Sequence, residues 1–87
     1  SFSEVNDIFL ELKEQPLVLV VNTAVPRDWR DQNNKLIADV AKNYSNIKVI
    51  DWNKKSENHP EYFAPDGVHL IPAGIAAYIS AINDYLN

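Results

Sequence analysis

An aspartate and a histidine stand three residues apart in the stretch Ala64-Pro65-Asp66-Gly67-Val68-His69-Leu70-Ile71-Pro72. With a tight turn between them, Asp66 can fold back and accept the proton on Nδ1 of His69. That pairing fixes the imidazole tautomer and leaves Nε2 free to act as a base. Gly67 permits a positive φ inside the turn, and Pro65 and Pro72 stiffen the loop on either side. The same residues fit a plainer description. Pro-Asp-Gly is an ordinary turn signal, and Asp66 could cap its own backbone while His69 packs at a helix entrance. Base chemistry and turn chemistry are both open on these residues alone.

The elements that must position this turn follow from periodicity. Ser1 and Glu4 stand at capping-box spacing, and Val5, Ile8, Phe9 and Leu12 share one helical face, which predicts a helix over 3–14 that Gln15-Pro16 ends. Leu17-Val18-Leu19-Val20-Val21 is an unbroken, β-branched-rich run, the pattern of a strand buried on both faces of a parallel sheet. Leu36, Ile37, Val40, Ala41 and Tyr44 recur at helical intervals, predicting a helix from 28 or 30 to 43. Ile47-Lys48-Val49-Ile50-Asp51-Trp52 reads as the next strand, completing a strand, helix, strand unit expected to cross over right-handed. Residues 53–63 read as an irregular loop that carries the chain toward the site. Pro72 suits the first position of a closing helix, whose apolar face holds Ile75, Tyr78, Ile79, Ile82 and Leu86.

In open α/β sheets, the loops beyond the carboxyl ends of strands form the binding crevice. Asn22-Thr23-Ala24-Val25-Pro26-Arg27-Asp28-Trp29 leaves the first strand in this way and is the natural second wall of a site. Within it Arg27 could reach an anionic or carbonyl group of a ligand, or simply pair with Asp28 or Asp31. Trp29 could stack on a sugar ring, or simply cover the edge of the core.

Composition narrows the field of functions. Eighty-seven residues, 46% hydrophobic and 23% charged, make one small α/β unit over 1–87 with a modest core. A net charge of −4 and an isoelectric point near 4.9 argue against nucleic acid or an anionic membrane surface as partner. There is no cysteine, hence neither a disulfide framework nor a thiolate zinc site. No apolar run approaches the roughly 20 residues that span a bilayer, which reads as a soluble chain. No cofactor is expected. His59 precedes a proline without a second ligand at helical or Cys/His spacing, so a surface loop histidine is the default and a metal site with Asp66 and His69 the lesser option.

Five segments in order carry a family resemblance: residues 20–29 (Val-Val-Asn-Thr-Ala-Val-Pro-Arg-Asp-Trp), 47–52 (Ile-Lys-Val-Ile-Asp-Trp), 59–63 (His-Pro-Glu-Tyr-Phe), 65–70 (Pro-Asp-Gly-Val-His-Leu) and 72–74 (Pro-Ala-Gly). Together they resemble the carboxyl-terminal part of SGNH/GDSL-type hydrolase domains. The likeness is greatest to domains attached to bacterial membrane acyltransferases that O-acetylate peptidoglycan or other surface glycans. The resemblance implies a Ser-His-Asp machine on a flavodoxin-like α/β/α sandwich. In it Asp66 would orient the imidazole, and His69 would draw the proton from serine and return it to the leaving oxygen.

The departure from the family pattern is equally informative. Its nucleophile lies in an amino-terminal Gly-Asp-Ser block, followed by Gly and Asn blocks that supply oxyanion donors, and none of these occurs here. Ser1, Ser3, Ser45, Ser56 and Ser80 all lack a strand-to-helix elbow, and Asn22 does not match the family's Asn block. The expectation is therefore a carboxyl-terminal fragment of a larger domain, inert alone and prone to self-associate, because a doubly wound sheet usually has about five strands. The parent would act on a carbohydrate or acyl-ester substrate, attached to a membrane with this domain outside the cytoplasm. The alternative is a noncatalytic glycan-binding or interaction module that retains the Asp-His pair only as a turn.

Overall fold

The computed structural model describes residues 1–86, in the order α1 (Phe2–Glu11), β1 (Val18–Val21), α2 (Arg30–Ala41), β2 (Ile47–Ile50), α3 (Trp52–Lys55), a 3-10 turn (Pro60–Tyr62) and α4 (Pro72–Leu86). Its α/β character is as expected, with β1 and β2 parallel in the register Val18 to Ile47 and Val21 to Ile50. The described part measures 37 × 32 × 16 Å.

Side chains alternate across a strand, so Val18, Val20, Ile47 and Val49 share one face of the sheet. That face meets Phe9 of α1 and Val40 and Ala41 of α2, with Val5, Ile37 and Tyr44 packed around them. Tyr44 meets Phe9 edge-on at 6.0 Å, and its hydroxyl donates to Oδ1 of Asn6 at 2.7 Å. The capping box forms as the spacing predicts: Ser1 Oγ accepts from Glu4 N, and the Glu4 side chain reaches back to Ser1.

Four sequence expectations are corrected. Helix α1 stops at Glu11 rather than 14, because Asn46 Nδ2 donates to the carbonyls of Leu12 at 3.0 Å and Gln15 at 2.9 Å and so holds the chain in a turn. Strand β1 is only half buried, since it pairs with β2 on one side and the core packs one of its faces. Strand β2 ends at Ile50, because Asp51 caps α3 by accepting from Lys54 N at 3.1 Å. Trp52 therefore begins a helix, and residues 53–63 carry part of α3 and the 3-10 turn instead of an irregular loop.

The fourth concerns α4. Gly74 and Ala81 are its buried residues, whereas Ile75, Ile79 and Leu86 of the expected core face are 47%, 52% and 57% exposed. The helix meets β2, α3 and the 3-10 turn along Gly74, Tyr78 and Ala81, while Ile75 and Ile79 face solvent and Ile82 is half-buried. No helix among the described residues is long and apolar enough to cross a membrane.

Candidate active site

Tertiary contacts turn the Asp-His stretch into a closed hairpin. Phe63 and Leu70 form an antiparallel bridge, Ala64 N donates to His69 O at 2.8 Å, and Ile71 N donates to Tyr62 O at 3.0 Å. Inside it Gly67 N donates to Ala64 O at 2.9 Å, closing a β-turn with Pro65 at its second position. Gly67 has φ +72°, and an added Cβ would stand 3.2 Å from Pro26 Cγ. The turn thus rests closely against the connection that leaves β1, and the positive φ is what favours glycine there.

Both readings of Asp66 hold at once. Its Oδ1 accepts from Val68 N at 2.9 Å and from His69 N at 3.0 Å, which is turn capping. Its Oδ2 meets Nδ1 of His69, which is ring orientation. The hydrogen bond from His69, followed by the backbone donors of Val68 and His69, lowers the Asp66 carboxyl from 3.8 to about 2. A carboxylate held anionic can only accept, so Nδ1 carries the proton and Nε2 keeps its lone pair in the neutral ring. The His69 side chain is 81% exposed, and no described residue hydrogen-bonds its Nε2.

Below the hairpin lies an aromatic support. Trp52, buried, is stacked by Tyr62 at 5.9 Å, met edge-on by Tyr78 at 5.1 Å and flanked by Phe63 at 6.4 Å. The carboxyl ends of the strands are tied by a polar brace that sequence reading missed. Buried Asn22 donates through Nδ2 to Asp51 Oδ1 at 2.8 Å and accepts from Asn53 N at 2.9 Å. Asn34 holds the next residue, accepting from Thr23 N at 3.0 Å and donating to Thr23 O at 2.7 Å. The only sequence signal for this brace is a polar residue directly following each apolar strand.

The other sequence candidates fall as follows. Arg27 is exposed and donates through Nη1 to Pro26 O at 3.2 Å; it is Arg30 that pairs with Asp31, at 2.9 Å. Trp29, 48% exposed, occupies the position before α2. His59 does not hydrogen-bond the Asp66–His69 pair; its Nδ1 lies 2.8 Å from Glu61 Oε2. Among the described residues, no three His, Asp or Glu side chains gather as a metal site. The five serines occupy the start of α1, the turn before β2, a buried site after α3 and the exposed side of α4, and none hydrogen-bonds His69.

No family model matches the chain. Individual proteins do. Over 84 residues, 97% of this chain and 13% of the relative, it is 40% identical to the peptidoglycan O-acetyltransferase OatA of Listeria monocytogenes. The chain is similar to a segment of O-acetyltransferases. A Staphylococcus aureus protein named "Putative O-acetyltransferase" is 55% identical over 60 residues, 69% of this chain and 10% of that protein. The Bacillus subtilis protein named "Putative peptidoglycan O-acetyltransferase YrhL" is 44% identical over 57 residues, 66% of this chain and 9% of its own length. The chain thus spans about a tenth of the length of the curated relatives it matches.

Proposed function

We propose that residues 1–87 form the carboxyl-terminal part of a larger SGNH-type, flavodoxin-like domain that transfers acetyl groups to hydroxyls of cell-surface carbohydrate. Asp66 and His69 are two of its three catalytic groups. The observation that carries this reading is the fixed tautomer: Asp66 holds Nδ1, and Nε2 of an exposed ring has no partner among the described residues. The O-acetyltransferase names of the relatives, two of them naming peptidoglycan, supply the reaction class and the substrate.

The chemistry then runs in two halves. Nε2 takes the proton of a serine hydroxyl contributed by polypeptide outside these residues, as that oxygen bonds to the acetyl carbonyl carbon. The bond to the donor's oxygen breaks, and Nε2 returns the proton to it. A glycan hydroxyl next gives its proton to Nε2 as its oxygen bonds to the acyl carbonyl carbon; the bond from that carbon to the serine oxygen breaks, and the serine oxygen recovers the proton from Nε2. Asp66 stays anionic throughout and stabilises each imidazolium. Arg27 and Trp29, exposed on the connection beside the turn, are the proposed substrate contacts there. The proposed setting is a membrane-attached protein with this domain outside the cytoplasm.

The test is acetyl transfer by the full-length protein that carries this chain. His69→Ala is expected to lower the rate by about 10^4-fold or more, and Asp66→Asn by about 10^4-fold. Full activity in either variant overturns the assignment.

A further inference from the structure

Beside the catalytic turn lies an open depression of about 520 Å3, within the ~300–1,000 Å3 range of sites that hold small organic ligands. Its walls come from the connections that follow β1 and β2, with Ala24 and Pro26 from the first, Asn58, His59 and Phe63 from the second, and Arg30 at the start of α2. Gly67, which stands between Asp66 and His69 in the sequence of the proposed catalytic turn, completes the lining.

His59 is unusually constrained for a ring at the surface. It stacks on Tyr62 at 4.5 Å with an interplanar angle of 7°, and Tyr62 in turn stacks on buried Trp52. Nδ1 is engaged by Glu61 at 2.8 Å, which leaves Nε2 as the edge available to a ligand. The preceding residue, Asn58, adopts φ +63° to make this presentation. A ring fixed at both its face and one nitrogen loses little freedom on binding, which is what preorganised recognition requires.

The lining also sets the ligand's chemistry. Arg30 is committed to Asp31, and Glu57 has no cationic partner among the described residues, so the depression carries a net negative charge and disfavours phosphates and carboxylates. Amide and imidazole groups beside Phe63 and Pro26 offer paired polar contacts next to apolar surface. A neutral pyranose has that same division, with hydroxyls at its edge and C–H groups on its face.

We infer that this depression holds a sugar ring of the glycan acceptor, with Nε2 of His59 hydrogen-bonding one of its hydroxyls. This rests on the acyl-transfer reading for the choice of acceptor. His59→Phe in the full-length protein keeps the stack on Tyr62 and removes the ring nitrogens. With p-nitrophenyl acetate as donor and an N-acetylglucosamine pentamer as acceptor, the variant should raise the acceptor KM at least tenfold with kcat changed less than twofold. An unchanged acceptor KM, or a fall in kcat alone, overturns the inference. Equilibrium binding of the pentamer, followed by saturation-transfer NMR, separates the two readings. Equal binding by wild type and His59→Phe sinks the sugar site alone, whereas tenfold weaker binding by His59→Phe in a protein that transfers no acetyl upholds the site and sinks the acyl-transfer reading.

Discussion

Gly74 in the first turn of α4 lies directly against the carbonyl of Tyr62, so closely that an added Cβ would stand 2.0 Å from the oxygen and 2.8 Å from the carbon. The same carbonyl accepts from Ile71 N, so the start of α4 and the base of the Asp66–His69 hairpin share one anchor. In an unhindered helix, Gly to Ala would stabilise by roughly 0.5–1 kcal/mol. Here Gly74→Ala is expected to destabilise by about 1–3 kcal/mol through overpacking. Urea unfolding of the chain checks the sign, and a raised midpoint would show that the clamp yields without cost.

The Asp66 carboxyl, lowered to about 2 by His69 and the two backbone donors, fixes the pH range of the turn. A depressed carboxylate favours the folded state in full above its unfolded value of 3.8, and the benefit is lost as pH falls through the folded value near 2. Asp66 should therefore remain charged at pH 3. A carbon-13 NMR titration of its carboxyl carbon is expected to show a midpoint near 2, and a midpoint at 3.8 would mean that the hydrogen bonds to Oδ1 and Oδ2 do not form in solution.

Asn22 joins the ends of the two strands through Asp51 and Asn53. Asn22→Ala leaves the Asn53 N–H without its acceptor and removes one donor from Asp51, an expected loss of about 1–3 kcal/mol. Thermal unfolding measures it. A melting temperature equal to wild type would mean that water replaces the side chain at no penalty.

Ile71, just before α4, and Ile75 and Ile79 within it repeat at four-residue intervals and are 38%, 47% and 52% exposed, an apolar stripe that runs from the helix start. The 87-residue chain by itself is expected to sediment above its 9.9 kDa monomer mass at high concentration, and replacing Ile75 and Ile79 together by Glu should return it to monomer. A wild-type monomer at millimolar concentration would contradict this.

What the amino-acid order determined is what depends on neighbours within about four residues. The Ser1–Glu4 capping box, the Pro72 helix start and the Asp66–His69 contact are all closed by side chains that reach one turn along the backbone, so spacing alone identifies them. The alternation of β-branched runs with helical periods likewise showed α/β character, because each pattern has its own period. Tertiary structure decided the rest. Asn46 ends α1 across 34 residues, Asn22 meets Asp51 across 29, and Gly74 is needed because Tyr62 approaches it. An apolar stripe records which helix face avoids water, but not whether a packing partner lies within reach. That is why Ile75 and Ile79 of α4 read as core and stand in solvent while Gly74 and Ala81 face the protein.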